Sequence, residues 1–277
     1  MITVLRAGPL TTVQDLGRPG YAHLGVPRSG ALDVRSLRRG NELVGNDPAA
    51  AGLETTLMGC ALRFETPAVV AVTGAEAEVR LDRSPVAGAV VEVPAGGVLD
   101  VGRARRGVRS YIAVAGGIDV EPVLGSRSTD TLSGLGPPRL VDGMTLPVGE
   151  VSAAPFALLT DTRHAPGGEL ELRLRLGPRD DWFEIGGLLS TAYGISPLSN
   201  RVGCRLAGTA LTRTQPGELP PEGVVLGAVQ VPADGQPLIF LADHPTTGGY
   251  PVIGVVDDVT PLAQARPGST VRFRVVD

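Results

Sequence analysis

Glu169-Leu-Glu-Leu-Arg-Leu-Arg-Leu176 alternates charge and leucine without a break. That period places Leu170, Leu172, Leu174 and Leu176 on one face of a strand and the charges on the other. Thr270-Val-Arg-Phe-Arg-Val275 carries the same pattern. Working outward, runs at 2–7, 61–65, 68–73, 76–81, 89–93, 98–102, 109–115, 224–231, 237–242 and 251–256 read as further strands, mostly bounded by Gly, Pro or Asp. Short strands between turn residues favour barrels or sandwiches over alternating β-α units. The 38 glycines and 24 prolines among 277 residues supply the turns. Two helices are expected. One spans about 33–44, with Asp33 as N-cap and Val34, Leu37 and Val44 on one face. The other spans about 179–190, opening with Asp180 and Asp181 where the helix dipole favours acids. Gly40 inside the first weakens it by up to ~1 kcal/mol. The class is mainly β.

Composition narrows the function. A net charge of −4 with no basic stripe argues against a nucleic-acid partner. No apolar run approaches the ~18–20 residues that span a bilayer, so no membrane role is expected. The opening MITVLRAGPL lacks the features of a signal peptide, and a cytoplasmic protein is the expectation. All 25 basic residues are arginine. Without lysine there is neither a Schiff-base mechanism nor a phosphate loop ending in Lys-Ser/Thr. Any anion must be held by Arg, by backbone N–H groups or by a partner. Cys60 and Cys204 show no metal-ligand spacing and read as small buried hydrophobes, and no metal site is expected.

The chain also resembles itself. Leu5-Arg-Ala-Gly-Pro9 matches Leu174-Arg-Leu-Gly-Pro178, and Gly59-Cys-Ala-Leu62 matches Gly208-Thr-Ala-Leu211. Val91-Glu-Val-Pro-Ala95 matches Val229-Gln-Val-Pro-Ala233, Gly116-Gly117 matches Gly248-Gly249, and Gly143-Met-Thr-Leu matches Gly268-Ser-Thr-Val. Anchors in the same order imply two related β units, about 1–152 and 168–277, joined through Ala153-Ala-Pro and His164-Ala-Pro-Gly-Gly168. If Arg18 corresponds to Arg201, the first unit carries an insertion, about 27–58, that includes the 33–44 helix. Such an insertion is either a site or a lid over a barrel end.

No nucleophile motif is present: no Gly-x-Ser-x-Gly, His-Glu-x-x-His or Gly-x-Gly-x-x-Gly. Polar residues gather in four loop segments instead, 15–33, 115–128, 199–203 and 242–251. The last is densest. Thr246-Thr-Gly-Gly249 offers hydroxyls and flexible N–H groups suited to an anion nest, with Asp243 and His244 beside it for proton exchange. The alternative is a plain tight turn. Arg18, Arg28, Arg127 and Arg201 sit in turns where a guanidinium clamps an anion or pairs with Asp15, Asp33 or Asp119. Glu222-Gly223 and Gln230 are placed to meet the fourth segment through strand pairing. Asp234-Gly235 reads as a hairpin turn.

In order, DLGRPGYAHLGVPRSGALD (15–33), NELVGND (41–47), LETTLMG (53–59), YIAVAGGID (111–119), VLGSRST (123–129), SNRVGCRL (199–206), EGVVLGAVQVPADGQP (222–237) and ADHPTTGGYPVIG (242–254) resemble the family of 5-oxoprolinase C subunits. It is also described as the KipA or allophanate hydrolase subunit 2 family, and it is related to the carboxyltransferase region of urea carboxylase. The resemblance implies a pair of cyclophilin-like β-barrels, a KipI-like partner that is the B subunit of 5-oxoprolinase, and often an A subunit. It implies an ATP-dependent opening of 5-oxo-L-proline, the nucleotide shared with partner subunits and magnesium possible. Two other roles are carried by the same resemblance: sequestering a KipI-like kinase inhibitor, or carboxyl transfer from biotin. The candidate catalytic residues are Asp243, His244, Thr246 and Thr247. The candidates for binding substrate or anions are Arg18, Arg28, Ser29, Asn200, Arg201, Gln230, Gly248, Gly249 and Tyr250.

Overall fold

The computed structural model describes residues 1–151 and 168–276. The joint proposed between the units, with His164, lies outside them. Two compact units emerge. The first contains Met1–Arg18, Ser29–Asp130 and Gly134–Ala165; the second contains Pro19–Arg28, Thr131–Ser133 and Pro166–Asp277. Among the described residues no helix is long and apolar enough to cross a membrane.

The first unit is built from β1 (Ile2–Arg6), β2 (Thr11–Gln14), α1 (Val34–Leu43), β3 (Gly52–Thr56), β4 (Cys60–Phe64), β5 (Ala68–Leu81), β6 (Ser84–Pro85), β7 (Val90–Val93), β8 (Val98–Val114) and β9 (Thr145–Leu146). They form one nine-stranded sheet in the order β2-β3-β8-β4-β1-β9, with β5 on β8 and β6 and β7 on β5. The runs 68–73 and 76–81 are one strand, and so are 98–102 and 109–115. Register shifts between Gly74 and Val79 bend the β5–β8 ribbon while the pairing continues, and Gly74 and Gly107 take positive φ there. A glycine that reads as a strand end is thus a bulge.

Alternation along these strands sorts the side chains. Val70, Val72, Ile112 and Val114 enter the main core with Ile2, Val4, Leu53 and Leu62. Ala71 and Ala113 face the other way, under α1. Asp33 caps α1 as expected, accepting from Ser36 N (3.0 Å) and Ser36 Oγ (2.7 Å). Gly40 has a packing reason: a Cβ there would stand 3.2 Å from the Ala113 methyl and 3.4 Å from Thr73 Oγ1.

The second unit contains β10 (Leu170–Leu176), α2 (Gly186–Ser190), β11 (Tyr193–Ile195), β12 (Gly203–Ala207), β13 (Glu222–Gly223), β14 (Ala228–Gln230), β15 (Leu238–Phe240), β16 (Thr247–Gly248), β17 (Val252–Val256), α3 (Thr260–Ala263) and β18 (Thr270–Val275). Seven strands close a barrel in the order β10-β17-β14-β15-β12-β11-β18, and β13-β16 is a separate ribbon. The two alternating stretches that open the sequence argument are neighbours, β10 and β18, paired in parallel. Leu170, Leu172, Leu174, Val271 and Phe273 are buried, while Leu176 is exposed at the strand's end. On the outer face Glu169 pairs with Arg272 at 2.8 Å.

The fold is therefore mainly β, with a closed barrel in the second unit and a curled sheet in the first. In both units the first strand neighbours the last, antiparallel for β1–β9 and parallel for β10–β18. The 179–190 helix is corrected to a 3₁₀ turn at Asp180–Trp182, an extended Phe183, and the short α2. Backbone pairing breaks it: Glu184 N donates to Thr212 O (3.0 Å) and Thr214 N to Trp182 O (2.8 Å), drawing the chain straight as Phe183 is buried.

Candidate functional site

Arg18 and Arg201 head the largest fully buried side chains. A guanidinium has five donors and cannot shed its charge, so burial demands acceptors on every side. Each unit supplies them differently.

In the second unit, Asn200 is exposed and makes a local turn, its Oδ1 accepting from Val202 N (2.8 Å) and Gly203 N (3.2 Å). Arg201 donates to Asp243 in bidentate fashion, Nε to Oδ2 at 2.9 Å and Nη2 to Oδ1 at 2.8 Å. Thr131, which belongs to this unit, adds N–H (3.0 Å) and hydroxyl (2.6 Å) donors to Oδ2. Asp243 thus accepts four hydrogen bonds, about the capacity of a carboxylate. It is built as an anchor at the base of the 242–251 segment. His244 is buried next to it, its ring 5.9 Å from that of Phe240. Nδ1 lies 2.6 Å from Pro245 O, which can only accept, so Nδ1 carries a proton.

Beyond His244 the chain is held along its backbone. Val224 N donates to Thr246 O at 3.0 Å, and Thr247–Gly248 pairs with Glu222–Gly223. The strand-pairing expectation for Glu222 and Gly223 holds. Gln230 is buried beneath, donating from Nε2 to Tyr250 O at 3.0 Å. A Cβ at Gly248 would lie 2.6 Å from that nitrogen, so a larger residue there would displace the Gln230 amide. Neither Gly248 nor Gly249 takes positive φ, and Gly248 is in a strand, so the segment is a presented edge rather than a nest. Thr247, Gly249 and Tyr250 are exposed, and Thr246 and Gly248 half-buried. Asp234-Gly235 is the hairpin turn between β14 and β15, with Gly235 at φ 72°.

Arg179 was not singled out by the sequence. Its Nη2 donates to Glu222 Oε1, and this hydrogen bond raises the guanidinium's pKa further. Thr131 was missed as well; it stands 112 residues from Asp243, and no local spacing signals the pair.

In the first unit, Arg18 donates to Ser128 O, to Ser29 Oγ (3.1 Å) and to Val123 O (3.3 Å). Ser29 in turn donates to Asp130 Oδ2 at 3.0 Å from a backbone held at φ 55°. Arg127 pairs with Asp119 at 2.6 Å. Arg28 is exposed and belongs to the second unit's residues. Gln14 Oε1 and Thr129 Oγ1 are buried with no partner among the described residues.

A further polar group in this unit escaped the sequence reading. Thr12, Glu54, Tyr111 and Thr73 stand opposite one another across β2, β3, β8 and β5. Tyr111 accepts from Asp33 N (2.7 Å) and donates to Glu54 Oε2 (2.8 Å), which also accepts from Leu32 N (3.0 Å). Burial, and then the nearby Glu54 charge, hold the phenol well above its ordinary pKa. This group docks the N-terminus of α1 on the sheet.

No three His, Cys, Asp or Glu side chains gather as a metal-binding group among the described residues.

The family described as carboxyltransferase domain, subdomain A and B, matches residues 24–275. The chain is similar to the C subunit of Escherichia coli 5-oxoprolinase, 42% identical across 99% of this chain and 90% of that protein. It is 32% identical to the urea amidolyase of Saccharomyces cerevisiae, across 98% of this chain and 16% of that protein. The crystal structure of K. lactis urea amidolyase superposes with a TM-score of 0.89 at 31% identity, covering 100% of this chain and 19% of that one.

Proposed function

The chain belongs to the carboxyltransferase domain, subdomain A and B, family, and from that premise we propose that it is the C subunit of an ATP-dependent 5-oxoprolinase. It acts with a KipI-like B subunit and an A subunit. The observation that carries this reading is 42% identity to a protein of that name along nearly the whole of both chains.

The lactam of 5-oxoproline is a poor electrophile, and ATP supplies activation by phosphorylating its oxygen. Water then adds at the activated carbon, the ring C–N bond opens as the leaving nitrogen takes up a proton, and a second water releases phosphate from the acyl phosphate so formed. The chain's part is charge stabilisation and proton handling at an edge held rigid beforehand. Thr246 and Thr247 donate from their hydroxyls to oxygen that gains charge. His244 Nε2 takes the proton from the attacking water, and Arg201, through Asp243, fixes the base of the segment. Arg28, exposed, meets the substrate carboxylate or a phosphate.

The test is 5-oxoproline-dependent ADP release by this chain co-expressed with its B-like and A-like neighbours, each omitted in turn. Turnover that vanishes without this chain is the expected result. Turnover that persists without it refutes the reading. Within the active complex, Thr246→Ala with Thr247→Ala abolishes turnover and leaves the fold intact.

A second reading, carboxyl transfer, draws on the urea amidolyase likeness. These 277 residues contain no lysine to carry biotin. That reading therefore requires a biotinylated lysine outside these residues, and activity that depends on adding a biotinylated protein would favour it.

A further inference from the structure

We propose that Arg179 and Glu222 are positioning residues that hold the Thr246–Tyr250 edge in its working shape. The proposal rests on the reading above, which puts that edge at the reacting amide.

The β13–β16 ribbon pairs two residues with two and is not continuous with the barrel. A ribbon this short has no stability of its own; even a full two-stranded hairpin is marginal in water. Something else must fix it, and Arg179 reaches both of its flanks. The Arg179 N–H donates to Val252 O at 2.9 Å, where β17 begins just past Tyr250. Its guanidinium donates to Glu222, whose backbone pairs with Gly248. The path from Val252 through Arg179 and Glu222 to Gly248 closes around Gly249, Tyr250 and Pro251. Trp182 backs the clamp, with Arg179 Cζ 5.8 Å and Arg213 Cζ 5.0 Å from its ring centroid. Gln230 supports the edge from beneath.

The Arg179 and Glu222 side chains are about one-third exposed, at 34% and 30%. Ion pairs that exposed add little to stability. What the pair fixes is position: it sets where β13 lies, and β13 sets where Thr247 and Gly248 lie. Loss of the pair should therefore leave the fold standing and misplace the donors, and a misplacement of about 1 Å costs up to ~100-fold in rate.

The test uses the assembled complex carrying Glu222→Gln, Glu222→Ala, Arg179→Ala or the exchange Arg179→Glu with Glu222→Arg. Each single alanine variant should lower kcat for 5-oxoproline by about 10- to 100-fold with little change in KM. Amide hydrogen exchange at Thr247–Gly248 should quicken, and the melting temperature should hold. Glu222→Gln should fall between wild type and alanine, and the exchange variant should recover part of the lost rate. Unchanged exchange protection at Thr247–Gly248 in both alanine variants overturns the proposal, whatever the complex catalyses. Wild-type kcat in those variants, while the Thr246/Thr247 double variant is dead, overturns it and leaves the functional reading standing. An active Thr246/Thr247 double variant sinks the reading of the edge instead, and the exchange measurement then decides the positioning claim by itself.

Discussion

Asp243→Asn is the substitution that most sharply tests how the second unit is held. It preserves shape and changes one oxygen to an amide nitrogen. All four groups facing the carboxylate are donors: Arg201 Nη2 on Oδ1, and Arg201 Nε, Thr131 N and Thr131 Oγ1 on Oδ2. However the asparagine turns, its NH2 faces a donor. The less costly orientation puts the carbonyl toward the three-donor side and the NH2 against Arg201 Nη2. A guanidinium only 1% exposed then loses its carboxylate. Breaking one side of a buried ion pair typically costs about 3–5 kcal/mol. For a unit of this size each kcal/mol lowers the melting temperature by roughly 4 °C, so a drop of about 12–20 °C is expected. Trp182 is the chain's single tryptophan and lies in the second unit, so its fluorescence during heating or urea unfolding reports that unit directly. Replacing both partners, Arg201→Met with Asp243→Leu, should cost less than Asp243→Asn alone, because no charge is then stranded. A loss below ~1 kcal/mol in Asp243→Asn, with turnover abolished, would refute the anchor and make Asp243 a proton carrier.

Further outcomes follow from other buried groups. Tyr111→Phe strips Asp33 N of its acceptor and Glu54 of a donor, and should cost about 1–3 kcal/mol in urea unfolding. The native phenol keeps its proton to higher pH than the unfolded chain does. Stability is therefore whole below about pH 10 and lost above it, by up to ~1.4 kcal/mol per pH unit, and Tyr111→Phe should flatten that alkaline slope. Burial pushes the Cys60 thiol up to about 12, and Cys204 is also buried. At pH 8 neither should react with Ellman's reagent until denaturant is added; prompt release of thiolate from the native protein would contradict this burial. Thr129→Val removes a buried hydroxyl that has no partner among the described residues. It should leave stability unchanged or slightly raised, and a loss above ~1 kcal/mol would reveal a partner for that hydroxyl.

The sequence revealed strands where apolar and polar residues alternate. Leu170, Leu172, Leu174, Val271 and Phe273 went where their period sent them. β2 and β3 were invisible for a definite reason. Thr11, Thr12, Gln14, Glu54 and Thr55 are buried polar residues, so Thr-Thr-Val-Gln and Gly-Leu-Glu-Thr-Thr carry no hydrophobic period. Their burial depends on partners far along the chain, such as Tyr111 for Glu54 and Thr129 O for Gln14 Nε2. The second helix failed because Asp180 and Asp181 imitate a helix start, while the 212–214 backbone pulls the chain straight two residues later. At the candidate site, Glu222 and Gln230 could be placed beside 246–250 because strand order implied it. Arg179 and Thr131 could not, since each reaches the site by tertiary contact alone.

The two buried arginines extend the argument from repetition to function. Arg18 and Arg201 lie in turns, Leu-Gly-Arg-Pro-Gly and Ser-Asn-Arg-Val-Gly. Both are held inside. Arg18 donates to the carbonyls of Val123 and Ser128 and to Ser29, so it ties the 123–130 loop to the start of the inserted segment. Arg201 donates both ends of its fork to Asp243, the first polar residue of the densest loop in the chain. A guanidinium that grips peptide carbonyls orders backbone. One that grips a carboxylate at the root of a loop also fixes where the following side chains point. Arg18 seats the start of the 29–44 segment in the first unit, and Arg201 aims His244 and the threonines behind it in the second. The Arg201–Asp243 pair at the root of the 242–251 segment is why the second unit's edge is the candidate for chemistry.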